Sequence, residues 1–325
     1  MNTPDFTARL AMGELLLLDG ATGAELARRG IDTALPLWSA GALIHAPDAV
    51  RAIHADYIRA GANVITTNTF RTHRRTLAHA GMADRARELT HLAVRLAREA
   101  VQRTSHPASQ PVFIAGSISP LEDCYSPERV PPDDQLRIEH REMARDLAEA
   151  GCDLLLVETM NTIREAVIAA EAAVATGLPV CVSFVAGPGG RAPGTLAKVD
   201  ETFARVDEDE MTLLSGESLE RAVTAVRPLG PAAVMVNCVP LGLIDQAFDR
   251  LRAAGGGPVG LYANVGHADD RTGWVLSDDV LPEAYAQHAR QWRERGASII
   301  GGCCGTTPDH IAALATTFVR AIDDR

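Results

Sequence analysis

Apolar positions along the chain gather into eight short runs, at residues 15–18, 64–67, 112–116, 154–157, 180–184, 233–236, 259–262 and 298–301. Each is four or five residues long, and most are rich in Leu, Val or Ile without polar alternation. Strands buried on both faces read this way. Longer stretches with helical spacing separate them, at 47–60, 74–103, 133–150, 162–176, 217–226, 243–254, 279–295 and 308–322. Pro308 behind Thr306-Thr307 suits a first helical turn. Strand and helix alternating eight times predict a parallel sheet. Eight such units in a chain of about 300 residues predict a closed (β/α)8 barrel rather than an open doubly wound sheet. Nothing marks a domain boundary or an internal repeat beyond this unit, so residues 1–325 are read as one barrel domain.

The connections are asymmetric. Helix-to-strand turns are short and carry glycine, as at Gly61, Gly151, Gly177, Gly230 and Gly296, where a left-handed cap ends each helix. Strand-to-helix connections are often long, at 31–46, 117–132, 185–215 and 264–278. A barrel builds its active site on that second face. The segment 185–215 is the longest, with a Gly/Pro-rich start and acidic residues from Asp207 to Glu210; it reads either as a solvated excursion or as a lid or interface arm.

Composition narrows the functional classes. Apolar residues make up 46% and charged residues 22% of the 325, an ordinary globular balance that excludes disorder and fibrous repeats. The net charge is −11 and the one lysine is Lys198, so no basic stripe is available to hold a phosphate backbone. Neither nucleic acid nor an anionic membrane surface is the expected partner. The run 15–18 is too short for the core of a signal peptide, and no segment approaches the ~20 apolar residues of a membrane span. The expectation is a cytoplasmic protein with reduced thiols. The chain leaves homo-oligomer formation open.

Six cysteines in a chain of this length are not a disulfide framework. Cys124, Cys152 and Cys181 are dispersed and read as buried small apolar residues. Cys238 ends the sixth run, and Cys303-Cys304 end the eighth inside Gly301-Gly-Cys-Cys-Gly. Alternate barrel strands contribute to one interior layer, so the three thiols are predicted to meet. Three thiolates suit Zn2+, with the fourth tetrahedral position left for substrate. The glycines beside the pair would remove Cβ bulk and let both side chains reach one ion. His310, in the following helix, is read as a surface residue.

Two carboxylates end other strands. Glu158 closes an apolar run, where an unpaired charge is costly and points to function. Asp19 follows the first run and reads either as a site residue or as the N-cap of a helix over 21–29. Asn264, after the seventh run, lies between the strands that carry Cys238 and Cys303-Cys304. Its amide oxygen would make a weak fourth zinc ligand without substrate; alternatively it bonds its own turn before Gly266.

Together, Asp19-Gly-Ala-Thr-Gly, Thr66-Thr-Asn-Thr-Phe, Glu158-Thr, Asn237-Cys and Gly301-Gly-Cys-Cys-Gly-Thr-Thr-Pro resemble the homocysteine S-methyltransferase family from about Leu15 to Ile322. That family covers S-methylmethionine- and betaine-dependent enzymes and the homocysteine module of cobalamin-dependent methionine synthase. The resemblance implies zinc on Cys238, Cys303 and Cys304, and the substrate amino group on Asp19 and Glu158. It places the substrate carboxylate on backbone amides after Asp19, at Gly20 and Ala21. The implied partners are an amino-acid thiol and a small methyl donor, with S-methylmethionine or S-adenosylmethionine favoured, and the implied product is methionine. A thiol is mostly protonated at neutral pH, and zinc deprotonates it. Ala263-Asn-Val-Gly266 lacks the proline of the family's usual turn, and the segment after the third run lacks the family's Tyr-Gly-Ala. Both departures concern the donor. A methyl-corrinoid protein or betaine as donor, and a zinc- or thiol-binding module without catalysis, are the alternative readings.

Overall fold

All eight apolar runs form strands in a computed structural model, which describes residues 5–106, 110–190, 210–269, 273–275 and 280–323. In chain order the strands are β1 (Leu16–Leu17), β2 (Val64–Thr66), β3 (Phe113–Ile118), β4 (Leu154–Met160), β5 (Val180–Phe184), β6 (Ala186–Pro188), β7 (Met211–Leu213), β8 (Ala233–Pro240), β9 (Val259–Asn264), β10 (His267–Asp269), β11 (Gly273–Val275) and β12 (Ile299–Gly302). β6–β7 and β10–β11 are small antiparallel pairs outside the main sheet. The other eight run parallel in the order β1-β12-β9-β8-β5-β4-β3-β2. A parallel bridge from Leu18 to Val64 joins the two ends, and the Asp19 N–H donates to the Val64 carbonyl at 3.0 Å. The sheet is thus closed as a (β/α)8 barrel.

Twelve helices among the described residues accompany the strands: α1 (Phe6–Ala11), α2 (Thr22–Arg28), α3 (Gly41–His45), α4 (Pro47–Arg59), α5 (Arg74–Ala78), α6 (Ala86–Arg103), α7 (Asp133–Ala150), α8 (Ile163–Val174), α9 (Leu219–Val226), α10 (Leu241–Ala253), α11 (Pro282–Glu294) and α12 (Pro308–Asp323). Strand alternation divides the core in two. Leu16, Leu18, Val64, Ala115, Leu156, Met235 and Ile299 fill the barrel. Leu17, Ile65, Ile114, Leu155, Val234, Leu261 and Ile300 face the helices. This is why the runs show no polar alternation. The first helix, which the pattern did not predict, adds Phe6 and Leu10 to the interior, with Phe6 edge-on to Phe113. None of the described helices is long and apolar enough to cross a membrane.

One predicted helix is broken. The stretch 74–103 divides into α5 and α6 because Gly81 sits at φ +70°. The Met82 N–H then reaches back to the Leu77 carbonyl at 2.9 Å, a bond pattern that ends a helix. Of the long segment 185–215, residues 191–209 lie outside the described residues, and so does the reading of that segment as a lid or a solvated excursion.

Candidate metal and substrate site

β9 lies between β8 and β12, so the ends of those two strands flank it at one mouth of the barrel. Cys238 on β8 and the Cys303-Cys304 pair just past β12 meet there, sixty-five positions apart in sequence. Their three sulfurs all lie within 4.8 Å of one another, and Cys238 Sγ is 2.7 Å from Cys303 Sγ. Ligand sulfurs around a tetrahedral zinc stand about 3.8 Å apart, as Zn–S distances of about 2.3 Å require. Cys238 and Cys303 stand closer than that and would part by about an ångström around an ion, while three converging thiols are the donor chemistry that a soft cation takes. Hydrogen bonds from the Cys238 and Cys304 thiols hold Cys303 well below the ordinary thiol range. Cys238 is raised because it donates to Cys303.

The backbone is forced into this arrangement. Cys238 has φ +54° and Thr159, at the end of β4, has φ +60°. Such a conformation is a true outlier for a β-branched residue. Both lie at register shifts, between Asn237 and Pro240 on β8 and between Val157 and Met160 on β4. Bulges at a barrel rim re-aim side chains. Asn237 braces the two: its Oδ1 accepts from Ser183 Oγ at 2.7 Å, and its Nδ2 lies 4.0 Å from Cys303 Sγ.

The glycines of the cysteine loop act differently from expectation. A Cβ at Gly301 would lie 2.5 Å from that of Leu18, and one at Gly302 would overlap Thr306. They are required by close packing against β1 and α12, while the turn itself falls at Gly305, φ +82°. Thr306 is the hub: its Oγ1 donates to the Cys303 carbonyl at 2.7 Å and accepts from the Ala21 N–H at 3.3 Å. Gly20 is packed against the same hydroxyl, 2.7 Å from where its Cβ would be, and against Tyr57.

Asp19 and Glu158 are both buried. Asp19 is not a helix cap. The N-cap of α2 is Ala21, and the Asp19 carboxyl accepts from the Thr66 N–H at 2.8 Å and Thr66 Oγ1 at 2.9 Å. Burial pushes its pKa up to about 8, with the Thr66 bonds opposing and the Glu158 charge adding to the rise. Glu158 accepts from Ser117 Oγ and from Tyr262 OH, the latter at 3.1 Å. Burial pushes it to about 7, with the Cys303 charge adding to the rise. Each acid thus keeps its proton readily in the absence of a cation, and each is coupled to the other or to the thiols. Thr66, Ser117 and Tyr262 carry these carboxyls, a role that becomes visible only once the strands are paired.

Asn264 is buried, and neither atom of its side-chain amide has a partner among the described residues. Its chain neighbours clasp the cysteine loop. The Cys303 N–H donates to the Ala263 carbonyl at 2.9 Å, and the Val265 N–H to the Cys304 carbonyl at 2.8 Å. His310 corrects the sequence reading. It is 6% exposed, stacks edge-on against Tyr285, faces the Val280 carbonyl through Nε2 and caps its own turn at Thr307. A helix residue two turns from a strand end looks solvent-facing until α11 is packed over it. Cys152 and Cys181 are buried in apolar surroundings, as predicted. Cys124 is buried too, and beside it Tyr125, like Cys303 and Cys304, packs against the buried cluster of Val185, Leu214 and Cys238. A second convergence, His91 with Asp146 and Glu149, is an ion-pair cluster: Arg87 reaches Asp146 at 2.6 Å and Glu149 at 2.7 Å.

The chain is similar to known proteins along most of its length. The family model described as homocysteine S-methyltransferase matches residues 16–318. The homocysteine S-methyltransferase YbgG of Bacillus subtilis is 31% identical over 93% of both chains. The selenocysteine methyltransferase of Astragalus bisulcatus is 28% identical, over 93% of this chain and 92% of its own. The crystal structure of the homocysteine methyltransferase MmuM from Escherichia coli in its metallated form superposes with a TM-score of 0.75 at 29% identity, covering 93% of this chain and 96% of that one.

Proposed function

The chain belongs to the homocysteine S-methyltransferase family, and from that premise we propose that it is a zinc-dependent enzyme that methylates the sulfur of homocysteine to give methionine. The donor in this reading is a small cationic methyl compound, S-methylmethionine or S-adenosylmethionine. Cys238, Cys303 and Cys304 hold the metal, a reading supported by the mutual approach of their sulfurs. When bound, zinc supplies the charge that keeps a thiol deprotonated at neutral pH.

The other roles belong to the chain's own groups. Asp19 and Glu158 receive the substrate ammonium. Buried carboxyls at about 8 and about 7 ionise when a cation arrives to pair with them, so an amino acid is recognised by charge inside a dry pocket. Backbone at Gly20 and Ala21 meets the substrate carboxylate, next to the N-terminal end of α2. Asn264, whose buried amide has no partner among the described residues, would supply a further, weak ligand to the metal when substrate is absent. The homocysteine sulfur attacks the methyl carbon as one carbon–sulfur bond forms and the donor's breaks. The electron pair leaves with the donor sulfur as a neutral thioether, and the thiol proton passes to solvent. No general base is needed at the methyl carbon.

The observation that carries this reading is the meeting of three thiols with two buried carboxyls at one barrel mouth. Its test is a donor screen. Zinc-loaded protein with homocysteine is offered S-methylmethionine, S-adenosylmethionine, betaine or a methyl-corrinoid protein, and methionine is read by mass spectrometry. Methionine from a sulfonium donor supports the proposal. Turnover only with betaine or the corrinoid protein overturns the donor assignment, and zinc binding without methyl transfer to homocysteine or selenocysteine overturns the enzyme reading.

A further inference from the structure

An apolar wall stands beside the thiols. Val185, Leu214 and Cys238 form one buried cluster, and Tyr125 packs on it, as do Cys303 and Cys304. Tyr125 is half-buried and lies in the segment that lacks the family's Tyr-Gly-Ala. The polar substrate groups, Asp19 and Glu158, take their hydrogen bonds from Thr66, Ser117 and Tyr262 and none from this wall.

Two consecutive residues at the end of β4 hold all three pieces of the wall. The Met160 carbonyl accepts from the Val185 N–H at 3.1 Å. The Asn161 carbonyl accepts from the N–H of Ser215, next to Leu214, at 3.3 Å. Asn161 Nδ2 donates to the carbonyl of Cys124, next to Tyr125, at 2.9 Å. The first two contacts are between main chains, so the third alone depends on a side chain. Asn161 is fully buried, and its Oδ1 has no partner among the described residues, so the amide is committed to Cys124. The rest of the loop is fixed without it. The Leu121 N–H donates to Glu165 Oε1 at 2.8 Å, and Asp123 accepts from the Tyr125 N–H at 3.2 Å and from Ser126 Oγ at 2.9 Å. Loss of the Asn161 amide therefore frees the Cys124-Tyr125 turn from β4 and leaves the root of the loop in place.

We propose that Asn161 is a positioning residue for methyl transfer: it seats Tyr125 on the Cys238 cluster, and the seated ring keeps water from the thiol side of the mouth. This rests on the reading of the chain as a homocysteine methyltransferase with a cationic methyl donor. In that reaction a thiolate charge and an onium charge cancel as the methyl group passes between the sulfurs. Water solvates the separate charges better than the transition state in which they are partly cancelled. A wall that excludes water therefore lowers the barrier without adding affinity for either substrate, and its loss falls on kcat.

Kinetics with S-methylmethionine and homocysteine on zinc-loaded protein test this, for the wild type, Asn161→Ala, Tyr125→Ala, Tyr125→Phe and the double alanine variant. Each single alanine variant is expected to lower kcat about tenfold and to keep KM for homocysteine and the zinc content within about twofold of the wild type. Tyr125→Phe keeps the ring and should lose clearly less than Tyr125→Ala. Because Asn161 acts through Tyr125, the double variant should stay within about twofold of Tyr125→Ala, where independent losses would multiply to about a hundredfold. A second readout needs neither metal nor turnover. In the metal-free protein, alkylation of Cys238 by iodoacetamide, followed by peptide mass spectrometry, should quicken about tenfold in both single alanine variants, since a shielded thiol becomes exposed. Wild-type kcat in Tyr125→Ala, losses that multiply in the double variant, a loss confined to KM for homocysteine, or Cys238 alkylated no faster in either variant overturns the assignment. Tyr125→Ala truncates a half-buried side chain, so it decides the matter even where Asn161→Ala does not fold. A wild type that transfers no methyl group to homocysteine from any onium donor instead overturns the function on which the assignment rests, while Cys238 alkylation still reads the wall, which separates the two failures.

Discussion

Asn237 and Thr159 hold each other by two hydrogen bonds across the ends of β8 and β4, seventy-eight positions apart: Asn237 Nδ2 donates to Thr159 Oγ1 at 2.8 Å, and Asn237 Oδ1 accepts from the Thr159 N–H at 3.1 Å. The pair joins two strained turns, because Thr159 follows Glu158 and Asn237 precedes Cys238. The residues before and after the clamp, Glu158 and Cys238, are thus set by one pair of hydrogen bonds. Left-handed backbone at a β-branched residue costs on the order of 1–3 kcal/mol and persists only where neighbours over-determine it.

Asn237→Ala is expected to release that strain and to leave the Thr159 N–H and hydroxyl unpaired in a buried place. The predicted loss is about 2–3 kcal/mol of stability by the usual cost of an unsatisfied buried group. Zinc affinity and homocysteine use should fall together, since both ends of the clamp move. Chemical denaturation and zinc titration of the variant check this. A variant with wild-type zinc affinity and wild-type KM would show that the bulges hold without Asn237.

Replacing Cys303 or Cys304 by Ala is expected to abolish zinc binding and activity together while the barrel stays folded. The thiols sit at the rim end of β8 and just past β12, and the strands are held by the apolar interior rather than by the metal. The melting temperature of the metal-free variant should stay within about 5 °C of the metal-free wild type. Metal analysis, an activity assay and a thermal melt decide it. A fully active, metal-free Cys303→Ala protein would refute the metal assignment.

The pattern of apolar runs was enough to place every barrel strand, and the Gly-Gly-Cys-Cys-Gly segment was enough to point to the thiols. Both signals are local: a strand covered on both faces must be apolar along its length, and adjacent cysteines between glycines are rare in ordinary packing. What stayed hidden depends on pairs brought together only by closure. Thr66 under Asp19, Ser117 and Tyr262 on Glu158, and Asn237 against Thr159 are ordinary polar residues until the barrel register is known. His310 looked exposed because the aromatic ring that covers it, Tyr285, lies on the preceding helix. The break at Gly81 was misread for a simpler reason, since an isolated glycine in a helical pattern does not announce whether it is tolerated or ends the helix.

Glu158 and Asp19 predict a pH dependence. Their folded-state values, about 7 and about 8, are raised above the ordinary carboxyl range by burial. The folded, substrate-free protein therefore holds protons that the unfolded chain has released. Their contribution to stability is full below about pH 4 and is lost as pH rises through 7 and 8. In Glu158→Gln the loss from Glu158 disappears, so the difference in stability between the two proteins should change by a few kcal/mol between pH 5 and pH 8. Homocysteine affinity should move the other way, strengthening as pH rises through 7 and 8, because only the ionised carboxyls pair with its ammonium. Glu158→Ala should weaken homocysteine use by ~3–5 kcal/mol, the usual cost of breaking a buried pair, without loss of zinc. Denaturation curves across pH and calorimetric binding in buffers of different ionisation enthalpy give the measurement. Parallel pH profiles for the wild type and Glu158→Gln would place Glu158 outside the titrating set.

Asn264 offers the sharpest separation between a structural and a metal-directed residue. Its side-chain amide is buried and has no partner among the described residues, while both of its chain neighbours are tied to the cysteine loop through Ala263 to Cys303 and Val265 to Cys304. A buried amide that supported the turn would be hydrogen-bonded, and removing it would cost about 1–3 kcal/mol. An amide kept for the metal has no such bond to lose. Asn264→Ala is therefore expected to destabilise the metal-free protein by no more than about 1 kcal/mol, the scale of a small truncation. It should weaken zinc binding about tenfold when homocysteine is absent. With homocysteine saturating, the substrate sulfur takes the fourth position, and the variant and the wild type should bind zinc equally. Competition titrations with a chelator, run with and without homocysteine, read this directly. Equal zinc affinity in both conditions would sink the assignment and return Asn264 to the turn, and a stability loss above about 3 kcal/mol would show a hydrogen bond that it makes in solution.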